Sequence, residues 1–338
     1  MGNLSTSQPD WLWDLLGVDR VTEGGSVSAN GVPLTLIEGI LRAQGFFSLA
    51  QEQTREAFGF KWEKRNTFEG GVTDYMVQWL NEKYGPAAGW LEGLESRPVV
   101  LDAGCGAALS GLAYFSQVID RIRYIGIDIS KSVDVAARRF EEKGVHASFV
   151  QADLCKLPLS SESIDLVFSE GVLHHTDDTH KALAAVTRVL KPGGRILFYV
   201  YRRKGPVREF TDDYIREKMQ EMSPAEGWAA MEPLSKLGRV LGELGVEIDV
   251  PEAVDLLDIP AGKINLQRFF YWHVCKAFYR PEMTLDEMNH INFDWFAPQN
   301  AHRQTPEEVR AWSEELGLLI EREVVEEAGI TIVARKAG

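Results

Sequence analysis

The chain has 338 residues, 45% of them apolar, nine tryptophans and a formal net charge of −14. That is material for one large domain with a well-packed interior, and no apolar run approaches the roughly 18 uncharged residues of a membrane span. The acidic balance disfavours nucleic acid, whose phosphates need a concentrated basic surface, while three scattered cysteines (Cys105, Cys155, Cys275) show no metal-ligand spacing and fit a reducing cytoplasm.

In chain order, residues 1–97 form an extension with its own character, and no basic segment followed by an apolar one opens it, so no secretory signal is expected. Asn30-Gly31, between short alternating runs, predicts a hairpin with a type I′ turn. Gln51 to Trp62 gathers three aromatics beside Gln and Thr, and Tyr75, Met76, Trp79 and Leu80 form one apolar stripe of a helix over 72–84. The spacing allows either an amphipathic helix packed on the next domain or a lid closing over a bound ligand.

Val99-Val-Leu-Asp-Ala-Gly-Cys-Gly-Ala-Ala108 is an apolar run that stops at Asp102 and turns through two glycines. It predicts a buried parallel strand and a loop whose backbone can approach a ligand closely. A second acid, Asp128, ends the next apolar run, at the spacing of about 20 residues that ribose binding in a Rossmann unit requires. The third glycine of a dinucleotide fingerprint is absent, because position 109 is Leu; a nucleoside is expected instead. Strands follow near 98–102, 123–128, 147–150, 164–169 and 195–201, with a helix from Leu109 aiming N–H groups at the ligand. Ser169-Glu170 ends the fourth strand, where open α/β sheets bind ligands.

These residues resemble class I S-adenosylmethionine (SAM) dependent methyltransferases. Leu101-Asp-Ala-Gly-Cys-Gly106 is similar to their first motif, Asp128 to the ribose acid, and Gln151-Ala-Asp-Leu154 to the motif whose acid meets the adenine amino group. Ile164 to His175 is similar to the fourth motif and Leu190-Lys-Pro-Gly-Gly194 to the turn before the fifth strand. One departure is Ala108, where many members carry glycine. The resemblance implies a Rossmann-like, seven-stranded mixed sheet. It also implies SAM as cofactor, held by Asp102, Gly104, Gly106, Asp128, Ile129, Asp153, Leu154 and Glu170.

Within that frame residues 98–204 are the SAM-binding core, 205–302 a helical cap inserted after the fifth strand, and 303–338 a final helix and closing strand pair. Capping boxes at Ser223-Pro-Ala-Glu226, Thr284-Leu-Asp-Glu287 and Thr305-Pro-Glu-Glu308 start three of the helices. Leu318–Glu323 and Ile330–Arg335 read as the antiparallel pair. Such a cap excludes water and shapes a pocket.

Alkyl transfer from a sulfonium needs proximity, alignment and a dry site. His174 and His175, after the fourth strand, are candidate bases, and Asp294 is a third candidate catalytic group. Arg202 and Arg208 leave the fifth strand placed to meet a carboxylate or phosphate. In the cap, Asn289 to Pro298 offers His290, Asn292 and Trp295 as acceptor contacts. Phe58–Trp62 and Phe293–Pro298 resemble segments of a capped bacterial subgroup.

The function expected is methyl transfer to a small polar metabolite by a monomer or homodimer, with no nucleic acid, membrane or metal. The alternative is use of the aminocarboxypropyl carbon, in transfer or in cyclisation to a small-ring amino acid with release of 5′-methylthioadenosine. A catalytically silent SAM-binding subunit is a third reading.

Overall fold

The computed structural model describes residues 8–45, 47–64, 67, 72–94 and 96–338. Helix α1 (Asp10–Leu16) leads into three short strands, β1 (Ser26–Ala29), β2 (Val32–Ile37) and β3 (Ile40–Ala43). Asn30 and Gly31 both take positive φ, 48° and 78°, as the I′ turn between β1 and β2 requires. Helices α2 (Leu49–Glu63), α3 (Val72–Tyr84) and α4 (Ala87–Trp90) complete the extension. In α3, Leu80 is buried and Met76 and Trp79 half-buried; the side chain of Tyr75 lies outside the described residues.

The core alternates as the apolar runs dictate: β4 (Val99–Ala103), α5 (Leu109–Phe115), β5 (Arg123–Asp128), α6 (Ser132–Glu142), β6 (Ala147–Gln151), β7 (Ile164–Glu170), α7 (Thr179–Val189) and β8 (Leu190–Tyr201). Every residue of β4 is buried, which is why it reads as a continuous apolar run rather than an alternating one. After β8 come α8 (Pro206–Met219), α9 (Pro224–Glu243), a hairpin of β9 (Glu247–Val250) and β10 (Gly262–Asn265), then α10 (Leu266–His273) and α11 (Leu285–Phe296). Helix α12 (Pro306–Glu315) precedes the antiparallel pair β11 (Leu318–Val325) and β12 (Gly329–Lys336). All three capping boxes form, at Ser223, Thr284 and Thr305.

The seven-strand expectation is corrected. Among the described residues the main sheet has ten strands in the order β1-β2-β3-β6-β5-β4-β7-β8-β12-β11. The extra three come from the extension: β3 pairs in parallel with β6, Leu41 opposite Val150 and Arg42 opposite Gln151. Covering β6 in this way removes an exposed edge, and Arg42 fixes the register by donating to Gln151 (2.9 Å) and Asp134 (2.6 Å). The insert between β8 and α12 is helical except for the β9–β10 hairpin. Among the described residues no helix is long and apolar enough to cross a membrane.

One apolar cluster packs α1, α7 and α12 against one face of the sheet. The other gathers Leu80, Tyr84, Phe115 and Phe140 with insert residues Trp228, Phe293, Trp295 and Phe296. Extension and insert thus share the second face, and they are tied directly: Gln53 Nε2 donates to the Ala297 carbonyl (2.8 Å) and the Gln299 N–H to Gln53 Oε1 (2.8 Å).

Candidate active site

Where β4 ends, Gly104 and Gly106 turn with φ of +79° and +52°, a region costly for any side chain. The N–H groups of Gly104 and Cys105 donate to the Ile127 carbonyl (2.7 and 3.0 Å), pinning the loop to β5. A Cβ on Gly104 would collide with the Val172 side chain, and one on Gly106 would lie 2.7 Å from Trp62 Nε1. The loop is therefore overlaid closely by α2 on one side and the segment after β7 on the other. Ala108 also sits at a left-handed φ of 54°.

Three acids line the cavity beside this loop. Asp102 accepts the Tyr124 hydroxyl, and burial pushes its carboxyl up to about 7 against that hydrogen bond. Asp128 accepts the Gly106 N–H on Oδ2 (2.9 Å) and the Ser130 N–H and hydroxyl on Oδ1 (2.8 and 2.7 Å), so it orders loop and turn together. Asp153 caps a 3-10 turn through the Cys155 N–H (2.9 Å), and burial raises its carboxyl. Ile129 and Leu154 supply apolar lining beside them.

Loop and acids form one end of a cavity of about 540 Å³, within the roughly 300–1,000 Å³ range of small-molecule sites. Helix α2 contributes Gln51, Thr54, Phe58, Lys61 and Trp62 to the wall. The far end is built from β8 and the insert, with Tyr199, Tyr201, Tyr271, Trp295 and the cations Lys204, Arg208 and Lys276. Glu170 reaches the cavity but is held by Lys83 (2.6 Å) and the Tyr84 hydroxyl. Its role is to fasten α3 to the sheet, because Lys83 also lies over the Tyr199 ring at 3.6 Å. Burial lowers the Lys83 ammonium against the raising effect of Glu170.

The candidate catalytic groups separate. His174 is fully buried beneath Tyr201, ring centroids 3.7 Å apart, and is not part of the cavity wall; the expectation of a reacting role for it is corrected. Its neighbour in a 3-10 turn, His175, does line the cavity. There Nδ1 lies 2.6 Å from the Asn300 carbonyl, which can only accept, so the proton sits on Nδ1 and leaves Nε2 bare. Burial presses the imidazole down to about 4. Asp294 lines the cavity, ion-paired to Lys61 and 3.4 Å from the Tyr201 hydroxyl. Burial would raise its carboxyl, but Lys61, His175 and Lys276 together hold it well below the usual range.

Of the acceptor candidates, Arg208, His290 and Trp295 line the cavity. Arg208 Nε donates to both Asp212 oxygens (2.8 and 2.9 Å), while the Trp295 indole N–H donates to Asp212 (2.8 Å). His290 Nδ1 is 2.8 Å from the Thr67 hydroxyl, and burial beside Lys61 presses the ring down to about 3. Two expectations are corrected. Asn292 is used inside the insert, donating to Ser235 Oγ (2.9 Å) and accepting from the Phe278 N–H (3.0 Å). Arg202 reaches the Glu326 carbonyl at 3.4 Å, outside the wall. Sequence reasoning missed Lys61 and Lys276, cations inside aromatic-rich runs, and that placement was the available signal.

The glycine loop, Asp128, Asp153 and residues of the insert thus line one cavity of an α/β fold. Residues 101–198 match the family described as a methyltransferase domain. Among curated relatives, the phthiotriol/phenolphthiotriol dimycocerosates methyltransferase of Mycobacterium leprae is 28% identical over 128 residues, 38% of this chain and 46% of the relative. The Bacillus subtilis methyltransferase YcgJ, itself uncharacterized, is 36% identical over 140 residues, 39% of this chain and 54% of the relative. The solved YcgJ structure covers 78% of this chain and 99% of its own, at 16% identity and a TM-score of 0.43. The chain spans about half the length of the curated relatives it matches. The likeness to SAM-dependent methyltransferases is thus a likeness of this segment, residues 101–198.

Proposed function

We propose that the protein transfers the methyl group of SAM to a small polar metabolite enclosed between the glycine loop and the insert. In this reading residues 1–97 supply a lid, 98–204 the SAM-binding core, 205–302 the acceptor cap and 303–338 the end of the core. The observation that carries it is the single cavity joining the nucleoside end to the polar and aromatic groups of the insert.

The residues fit the cofactor. Neither Gly104 nor Gly106 tolerates a Cβ, so only bare backbone lies against a ligand there. Asp128 and Asp153 are acceptor-only groups suited to ribose hydroxyls and an exocyclic amine. SAM, when bound, supplies a methyl carbon already activated by its sulfonium. The chain's own work is then alignment and exclusion of water. Tyr201, Trp295, Phe58 and Trp62 wall off solvent. His175 and Asp294 are pressed too low to serve as strong bases near neutral pH, which favours acceptors that arrive with an available lone pair.

The test is calorimetric titration with SAM, followed by turnover assays with candidate metabolites that measure S-adenosylhomocysteine. Binding together with that product supports the reading. Absence of SAM binding overturns it, as would 5′-methylthioadenosine appearing as the nucleoside product.

A further inference from the structure

The far end of the cavity carries more buried positive charge than its carboxylates balance. Asp294 is taken by Lys61 and Asp212 by Arg208, while Glu170 is taken by Lys83. Glu287 is engaged in its capping box. Lys204 has only carbonyl partners for its ammonium, those of Arg202 (2.6 Å) and Ala328 (2.9 Å). Lys276 makes no hydrogen bond or ion pair with any described residue. Its ammonium lies over the Trp295 ring, 4.6 Å from the centroid, and the residue is 7% exposed and lines the cavity. Burying an ammonium without an anion is unfavourable. Evolved cavities tolerate it where a ligand supplies the anion.

The walls beside this cation are ring faces. Tyr201 and Trp295 lie 4.2 Å apart at their centroids, with Tyr271 and Phe278 adjoining. The two rings pack on one another and form a single aromatic wall, against which a flat ring can stack and a heavily hydrated chain is disfavoured.

We propose that the acceptor is an anion: a flat, ring-bearing molecule whose carboxylate or phosphate is seated against the Lys276 ammonium, with Lys204 and Arg208 flanking. The inference rests on the methyltransferase reading and narrows its substrate class. Lys276 sits in the loop between α10 and α11, against the Trp295 ring of the insert, and its anion is assigned to the acceptor rather than to SAM. Around it Asp294 and Asp212 favour the ammonium, whereas burial, Arg208 and Lys61 oppose it and bring it down to about 7. An incoming anion restores the proton.

The full chain, saturated with S-adenosylhomocysteine, is titrated calorimetrically with benzoate, phenyl phosphate and neutral benzamide. Benzoate or phenyl phosphate should bind saturably, at least tenfold more tightly than benzamide, and the preferred one of the two identifies the anion. At pH 8, titrations in buffers of different ionisation enthalpy should show uptake of close to one proton, vanishing by pH 6. Lys276→Met should abolish the preference and reduce the uptake while leaving S-adenosylhomocysteine affinity within twofold, and Lys276→Arg should keep the preference. Equal binding of benzamide, an unchanged Lys276→Met, or no anion binding with S-adenosylhomocysteine still bound would each overturn the proposal. A tenfold loss of S-adenosylhomocysteine affinity in Lys276→Met would assign the lysine to the cofactor and overturn it too. Failure of S-adenosylhomocysteine to bind the unaltered protein refutes the methyltransferase reading instead.

Discussion

Gly106→Ala probes the join between the glycine loop and α2. Two separate costs follow from the structure. Gly106 has φ +52°, and placing an L side chain there costs about 1–2 kcal/mol. The new Cβ would lie 2.7 Å from Trp62 Nε1 and 2.9 Å from Cε2, an overpacking that adds about 1–3 kcal/mol. The expected destabilisation is therefore about 2–5 kcal/mol, with SAM affinity falling at least tenfold because α2 is pushed off the loop. The two parts separate in a double-mutant cycle with Trp62→Ala, read by urea unfolding. Removing the indole should recover the steric part, giving a coupling energy of about 1 kcal/mol or more and leaving only the backbone cost. Additivity within about 0.5 kcal/mol would refute the close approach of Trp62 to the loop.

Other outcomes follow from the same geometry. Lys83→Met leaves Glu170 buried without its cation and should cost about 3–5 kcal/mol in urea unfolding, while Lys83→Met combined with Glu170→Gln should recover much of that. His290 is held down to about 3 and His175 to about 4, so both stay neutral where the unfolded chain, near 6.5, takes up protons. Their contribution is fully present above pH 6.5 and is lost as pH falls toward 4, each at up to about 1.4 kcal/mol per pH unit. Asp102, raised to about 7, offsets part of that slope; His290→Gln should flatten it, and an unchanged stability–pH curve would contradict the assignment. Thr305→Ala removes the capping box of α12 and should cost about 1 kcal/mol while leaving SAM affinity unaltered.

The nucleoside end was legible because its signals are local. An apolar run ending in Asp102, two glycines at forced φ, and Asp128 and Asp153 at strand ends each report a backbone requirement carried by a few contiguous residues. The capping boxes at Ser223, Thr284 and Thr305 and the Asn30-Gly31 turn were legible for the same reason. Periodicity did not reveal that β3 would join β6, since pairing two short strands across more than 100 residues is decided by which edge is left open. Nor did it separate His174 from His175. Adjacent positions in a 3-10 turn face different ways, so that one ring is buried against Tyr201 and the other lines the cavity.

The sequence by itself determined the class of cofactor and the αβ core that holds it, because those depend on residues adjacent in the chain. Tertiary structure alone decided the far end of the cavity. It paired Asp294, a candidate catalytic group, with Lys61, withdrew Asn292 and Arg202 from the wall, and left Lys276 lining the cavity with no hydrogen-bonded or ion-paired anion among the described residues. Whether a buried charge has a partner is a property of groups brought together from distant segments, here α2, α8 and α11, and spacing along one chain cannot report it.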